Sequence, residues 1–523
     1  MVNFQLFQHD LQHAERTHEM RLQRHKQSAP LKLRWRALGV KHFLHIVPGE
    51  RILELGAGTG QWTRQLASVL DGENPITAVV FSPELVEKTP SLPNVEFITA
   101  SDFEDRSACE QFDYVIGSGT LSTCCLPDML AATHKLLKPG GQIFFFDRNS
   151  RNPLARILAP FRPPSAAGSH SSSYVRMLQA CSATGYTHVE ISPYDLVPWG
   201  LTQQAAERFE AKAILLEHAP LVRAFTDSQY LSARKPGVSV HRRTVQLANH
   251  ESLRDTVSVV IPCYNEASNI GKVTDRLLAF YGLYIHEILV VNDNSTDATE
   301  SVTRQLSKAE PRIKLINRSK PNGVGRALAD GYRAATGKYI LSMDCDFVEI
   351  LPEFRGLFDV IAEGHDGAIG SRFSHESVVL NYPFSKMLCN RLFHVAIKFL
   401  LIRNVRDVSN NLKLYRAEIL KSLAIESPHF SANLETGLKP LLAGYDICEV
   451  PISWINRTTG MGKSSFNLKK VGGDYVRALI HIWKTHGSAP NAILRRATGW
   501  GGVTRSHPTV ALHAVKPRNE HSR

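Results

Sequence analysis

Three short segments end apolar runs in polar side chains, and one of them suits a divalent cation held together with a ligand's phosphates. Ser342-Met343-Asp344-Cys345-Asp346 sets two carboxylates two residues apart. On an extended chain such residues point the same way, so Asp344 and Asp346 aim at one spot. Mg²⁺ is typically held by one or two carboxylates together with ligand phosphates. Upstream, Val259-Val260-Ile261-Pro262-Cys263-Tyr264-Asn265-Glu266 is an apolar run broken by Pro262 and followed by polar groups. Leu289-Val290-Val291-Asn292-Asp293-Asn294-Ser295 ends a second apolar run in an Asx/Ser-rich turn. A fourth segment, Ile52-Leu53-Glu54-Leu55-Gly56-Ala57-Gly58-Thr59-Gly60, is a strand, a Gly-rich turn and a helix start. Glycine there lets the backbone approach a ligand, and the N-terminus of the next helix offers unpaired N–H groups.

In every case the polar groups follow an apolar strand, at the edge where open α/β sheets bind ligands. Strands are expected over 51–55, 76–80, 95–100, 112–117 and 142–147, then over 257–263, 287–291, 313–317, 339–343 and 367–370. Their alternation with helical stretches predicts two doubly wound α/β domains with parallel sheets. The chain divides into a basic N-terminal extension (1–40), a first domain (41–237), a polar linker (238–255), a second domain (256–484) and a basic C-terminal tail (485–523).

Of the 523 residues, 43% are hydrophobic and 21% charged, which excludes a collagen, a disordered acidic chain and a coiled-coil rod. No stretch approaches the roughly 20 apolar residues of a membrane span, and the N-terminus does not read as a signal peptide. The net charge of +12 is concentrated at the ends. Residues 1–41 hold eight Lys/Arg against three Asp/Glu, and residues 484–523 hold seven against one. Such tails are expected to be solvated and mobile; attraction to anionic lipid is the alternative. Without regular aromatics they do not suit nucleic acid. Eight cysteines with no CxxC pair predict reduced thiols and a cytoplasmic chain.

The string ELGAGTG, with Phe112-Asp113-Tyr114-Val115-Ile116 and Leu136-Leu137-Lys138-Pro139-Gly140-Gly141, resembles the class I S-adenosylmethionine-dependent methyltransferases, a Rossmann-like fold. The resemblance implies a cofactor, S-adenosyl-L-methionine, bound by Glu54, Gly56, Gly58 and Gly60, with Asp102 on the adenine side. One position departs: the family ends its second strand in an acid for the ribose hydroxyls, where this chain has Val80. Glu84, one turn further on, is the available substitute. Asn149, Arg151, Asn152 and Arg156 after strand five suit an anionic methyl acceptor, or are ordinary loop polar residues.

The three segments of the second domain, in order, resemble the family 2 glycosyltransferases of the GT-A fold. The resemblance implies that Pro262, Tyr264, Glu266, Asp293 and Asp344 hold the nucleotide donor and that Asp344 and Asp346 bind Mg²⁺ or Mn²⁺. Asn292 stands where the family usually has a first acid, and Val348 where it often has Gln or a small polar residue. Ile369-Gly370-Ser371-Arg372-Phe373, Asp407 to Arg416 and Arg457 to Ser465 resemble segments of polyprenol-phosphate sugar synthases. That likeness adds Arg372, Lys413, Arg457 and Lys463 as cations at the diphosphate and acceptor phosphate. Asn411 replaces a glycine of the pattern and is expected to keep its positive φ.

The expected enzyme is a hexosyltransferase acting on a nucleotide diphosphate sugar (GDP-mannose or a UDP-sugar) and a polyprenyl phosphate, fused to a methyltransferase. The alternative is transfer to a saccharide or glycolipid hydroxyl, with the first domain a non-catalytic scaffold. That would need a base, and Glu435 is the candidate. The segment 384–406 has five basic residues and no acid. It suits a helix lying at a membrane interface as well as a core helix with a basic outer side.

Overall fold

The structure is a computed structural model describing residues 8–106, 111–121, 126–149, 151–158, 174–196, 199–202, 204–205, 216, 219–237, 250–348, 350–374, 377–380, 382–401, 405–455 and 468–486. It contains two seven-stranded sheets and a two-stranded one. In the first, β1 (Ile52–Leu55), β2 (Ile76–Val80), β3 (Val95–Thr99), β4 (Phe112–Ser118), β5 (Leu137–Arg148), β6 (Thr187–Tyr194) and β7 (Ser228–Arg234) stand in the order 3-2-1-4-5-7-6. Strands β1 to β5 are parallel; β1, β2, β4 and β5 are largely buried in the Ile/Val/Phe-rich manner of such sheets, and β3 is the half-exposed edge. β7 runs antiparallel to β5 and β6.

The second sheet holds β8 (Val257–Cys263), β9 (Ile285–Asn292), β10 (Ile313–Asn317), β11 (Tyr339–Ser342), β12 (Gly367–Ser371), β14 (Lys413–Arg416) and β15 (Ile447–Pro451), in the order 10-9-8-11-14-12-15. β14 is antiparallel to both neighbours, so both sheets are mixed rather than wholly parallel. An antiparallel strand needs no helical crossover, and four residues of Lys413–Arg416 carry no sequence signal of direction. Strands β13 (Val379–Leu380) and β16 (Trp454–Ile455) form the small sheet. The order reverses between β1 and β4 in one sheet and between β8 and β11 in the other. Those are the switch points at which such folds open a ligand crevice.

Residues 8–40, within the segment 1–40 expected as a solvated extension, instead pack on the first sheet in α1 (Gln8–Arg24) and in α2 (Ala29–Leu44), which runs on into the first domain. Helix α2 starts with Pro30 in its first turn and ends at His45, φ 52°, whose N–H returns to Lys41 O. Leu33, Trp35, Ala37, Val40 and Leu44 are buried. So is Lys32, which ion-pairs with Asp195 at 2.7 Å, while Arg36 Nε donates to the other Asp195 oxygen at 2.7 Å. Burial pulls the Lys32 pKa down, and Asp195 opposes that. Among the described residues, contacts that tie the sheets' units together include His42 Nδ1 with Glu353 at 2.8 Å, Arg355 with Glu73 at 2.7 Å, and Val378 packed in the first unit's core. The linker's residues 238–249 and the C-terminal tail from 487 lie outside the described residues. Cys181, Cys263, Cys345, Cys389 and Cys448 are free thiols.

Removing one partner of a buried ion pair leaves an uncompensated charge and costs about 3–5 kcal/mol. Asp195→Ala strands both Lys32 and Arg36 and is expected to lower urea-unfolding stability by that order. A loss below 1 kcal/mol would show that the pair is not buried in solution.

Candidate functional site

The second sheet opens a cleft of about 550 Å³ at its switch point. Its lining brings together Pro262 at the end of β8, Tyr264 and Glu266 after it, Asp293 after β9, Asp344 and Asp346 after β11, and Arg372 after β12. These seven expected site residues therefore share one space. The turns that deliver them need left-handed backbone at Asn265 and Asn294, both at φ 58°. Asparagine tolerates that conformation better than most residues. Asn265 Oδ1 accepts Thr296 N–H at 2.8 Å, joining the turns after β8 and β9.

Each carboxylate is held differently. Asp293 accepts Gly323 N–H at 2.6 Å and pairs with Arg318. Glu266 accepts Asn269 Nδ2 at 2.6 Å. Asp344 accepts Asn411 Nδ2 at 2.7 Å, and Asn411 Oδ1 in turn accepts Ser342 Oγ at 2.8 Å, which Tyr332 hydroxyl reaches at 2.9 Å. Burial and then the Asp346 charge push the Asp344 carboxyl well above the usual range; Asn411 and Lys413 work the other way. Asn292 bridges to Asn317 at 2.9 Å, tying β9 to β10 rather than facing the cleft as an acid.

The Arg372 fork grips Asp407 at 2.7 and 2.8 Å, and its backbone N–H adds a third bond at 3.0 Å. Burial disfavours both charges. Their attraction outweighs it, raising the Arg372 pKa and lowering that of Asp407. The rings of Trp454, Phe373 and Tyr382 surround the guanidinium at 5.5, 5.6 and 6.0 Å.

Three expectations need correction. Lys413 does not line the cleft: it is fully buried, donates to Asn410 and Asn433 carbonyls, and burial pulls its pKa down to about 7. Glu435 is no base at the cleft. Its oxygens accept Ser427 and Glu426 N–H at 2.7 and 3.0 Å and Lys439 Nζ at 2.6 Å. Asn411 has no positive φ; it replaces glycine to serve Asp344. Arg457 and Lys463 lie outside the described residues, as does Val348's neighbour 349; Val348 itself is buried. The cleft also gathers Lys386, Asn390, Asn410, Tyr382, Trp454 and Tyr475, which no motif singled out. Lys386 and Asn390 sit on the helix Phe384–Leu400, whose period would have indicated a face but not which one meets the cleft.

At the first switch point, Gly56, Gly58 and Gly60 have φ of 80°, 56° and 74° and form the expected turn into α3 (Gln61–Val69). Glu54 is buried; burial pushes its pKa up to about 7, the neighbouring Thr63 hydroxyl working against that and the Glu15 charge with it. The turn's amides, however, are occupied by α1. Glu15 accepts Gly58 N–H at 3.0 Å, Phe81 N–H at 3.2 Å and Ser82 N–H at 2.6 Å, and Glu19 accepts Thr59 N–H at 2.9 Å. Glu84 pairs with Arg16 of α1 at 2.8 Å, Val80 is buried, and Asp102 accepts Thr99 hydroxyl at 2.6 Å. Asn149 and Asn152 donate to Thr226 carbonyl at 3.0 and 3.1 Å, a structural use; the Arg156 side chain is not among those described.

A mixed α/β sheet with strand-end carboxylates around an open cleft is the architecture of a GT-A-type transferase. Residues 258–424 match Glycosyl transferase family 2, and residues 52–141 match a Methyltransferase domain. A dolichol-phosphate mannosyltransferase of Pyrococcus furiosus is 30% identical over 254 residues, 47% of this chain and 69% of the relative. The chain belongs to the family 2 glycosyltransferases. A polyprenol monophosphomannose synthase of Mycolicibacterium smegmatis is 28% identical over 214 residues, 40% of this chain and 80% of that one. The glucosyl-3-phosphoglycerate synthase structure from Mycobacterium tuberculosis aligns over 49% of this chain and 86% of its own, at 20% identity and a TM-score of 0.37.

A carboxyl whose folded pKa lies above its unfolded value binds more protons when folded. Its contribution is therefore lost as pH rises from 4.5 to about 7 for Glu54. Glu54→Gln should stabilise the protein at pH 8 relative to pH 4.5, the gain growing by up to about 1.4 kcal/mol per pH unit across that window. A urea-unfolding difference that does not change with pH would contradict the buried carboxyl.

Proposed function

We propose that the chain moves a hexose from a nucleotide diphosphate sugar to a polyprenyl phosphate. The observation that carries this reading is the uneven distribution of charge around the cleft. Among the described lining residues, the carboxylates Glu266, Asp293, Asp344 and Asp346 all follow β8, β9 and β11. The half built from β12 onward contributes Arg372, Lys386, asparagines and aromatic rings, and no carboxylate. A hydroxyl acceptor needs a base; an acceptor phosphate is already anionic and needs cations to offset its approach to the donor diphosphate. Similarity to the two polyprenyl-phosphate mannosyltransferases favours mannose.

In this reading Pro262, Tyr264, Glu266 and Asp293 hold the nucleoside. Asp344 and Asp346 are the ligands for Mg²⁺ or Mn²⁺, and the crowding that raises Asp344 suits them to a divalent cation. The metal supplies positive charge to the leaving diphosphate. Arg372, clamped by Asp407 and walled by aromatic rings, faces the anionic acceptor; the sequence resemblance assigns the same role to Arg457 and Lys463. Attack by the acceptor phosphate at the anomeric carbon releases the nucleoside diphosphate and inverts configuration.

Polyprenyl phosphate should accept radiolabelled sugar, whereas the polyprenol of equal chain length, presenting a hydroxyl, should accept none. Equal transfer to both would overturn the phosphate reading. Asp346→Ala should abolish transfer with the fold intact, a loss of at least about 10²-fold by the measure of a removed charge stabiliser. Parent activity undiminished by a chelator would remove the metal from the scheme.

Peripheral membrane contact fits this acceptor. No helix among the described residues is long and apolar enough to cross a membrane. The helix Phe384–Leu400 exposes Leu388, Leu392, Val395 and Phe399, the last 86% exposed, and carries the half-buried cations Lys386, Arg391 and Lys398. Val476, Ile480 and Trp483 of the helix Leu468–His486 are exposed as well. Anionic vesicles should retain the protein at low salt and release most of it at high salt, since screening acts over about 8 Å at physiological ionic strength. Retention unaffected by salt would assign the contact to apolar insertion alone.

A further inference from the structure

Helix α1 buries a face that an ordinary amphipathic helix would not. Its buried residues are Leu11, Glu15, Glu19 and Leu22, spaced as one helical stripe. The two glutamates are only 5% and 6% exposed. A carboxylate that deep needs partners, and both find them in the crevice of the first sheet. Glu15 spans Gly58 in the Gly-rich turn and Phe81 and Ser82 after β2; Glu19 takes Thr59 through its N–H and, at 2.9 Å, its hydroxyl. Gln12 Nε2 donates to Phe81 O at 2.9 Å. One helix thus joins the Gly-rich turn to the end of the neighbouring strand.

The glycines are used in the same contact. A Cβ on Gly58 would lie 2.4 Å from Glu19 Oε1, so the close approach that glycine permits there serves a side chain of this protein. The two glutamates stand just ahead of the α3 N-terminus, where negative charge is favoured. Against S-adenosylmethionine, the cleft retains one suitable feature, the buried carboxylate of Glu54, which has no cation beside it and fits an ammonium. The rest does not fit while α1 is docked. The turn's amides are engaged, Val80 offers no acceptor, and Glu84 is paired with Arg16 of the same helix.

We infer that the methyltransferase-like crevice is a socket for α1, with Glu15 and Glu19 as its carboxylate ligands, and that helix and nucleoside cofactor exclude one another. The first unit then acts as a closed scaffold whenever α1 is seated.

Amide hydrogen exchange of the full chain, with S-adenosylhomocysteine at millimolar concentration as the probe, tests this. In the parent, peptides containing Gly58, Thr59, Phe81 and Ser82 should be protected. The probe should leave them unchanged, or slow them only as α1 loses its own protection. In a Glu15→Ala/Glu19→Ala variant those peptides should exchange at least about tenfold faster while β4 keeps its rate, as expected of a local opening. If β4 also loses protection, the Glu15→Gln/Glu19→Gln variant is read in its place. Three results would overturn the inference: unprotected turn amides in the parent, turn amides slowed by the probe with α1 still protected, or parent rates in the variant that keeps β4 intact.

Discussion

The Arg372–Asp407 pair holds together the half of the cleft that faces away from the strand-end acids. Asp407 is fully buried and takes three bonds from one residue. Its position is set from behind: Glu449 of β15 accepts the backbone N–H of Asp407 at 2.8 Å and of Arg406 at 2.8 Å. Burial pushes that carboxyl up to about 7. From Asp407 the chain runs directly to Asn410, which bonds Gly370 O at 2.8 Å, and to Asn411, which bonds Asp344. The carboxylate after β11 and the cation after β12 are therefore fixed by one short stretch. A planar guanidinium bound bidentately has a defined orientation that a lysine ammonium would not have.

Strand ends were legible because their signal is local: an apolar run followed at once by Asp, Asn or Glu. The structure gathers Tyr264, Glu266, Asp293, Asp344 and Asp346, all picked out by that pattern, around one cleft. It fails for Lys413. Pairing with Ser342 puts Lys413 at the correct sheet edge, yet its ammonium is consumed by two backbone carbonyls. It fails for Glu435 for the complementary reason, since backbone amides consume the carboxylate. A motif specifies residue type and position, whereas which unsatisfied backbone groups lie within reach is settled by tertiary packing. Asn411 shows the same limit. A Gly-to-Asn exchange suggests left-handed backbone, and the structure uses the amide instead.

Net charge misdescribes the N-terminal helices. Counting Lys and Arg over residues 1–41 describes a solvated, mobile tail, but charge totals ignore helical position. Leu11, Glu15, Glu19 and Leu22 fall on one stripe, and acids inside an apolar stripe signal a buried anion acceptor on the surface it meets. Lys32 and Arg36 repeat the lesson on α2: two cations among Leu33, Trp35 and Ala37 imply a buried acid, and Asp195 supplies it.

The two crevices present opposite electrostatic problems at the same topological place. Around β1 and β2 the exposed groups of the turns are backbone N–H donors, a positive lining that an anion relieves. Around β8, β9 and β11 side-chain carboxylates turn the edge negative, to the point that Asp344 is raised by its neighbour Asp346. A protein can satisfy the first lining from its own side chains, because Glu is abundant and reaches deeply on a helix. At the second, the cations nearby are already committed: Arg318 pairs with Asp293, Arg372 with Asp407, and Lys413 with backbone carbonyls. That asymmetry accounts for one crevice being closed by its own chain while the other remains a cleft of about 550 Å³.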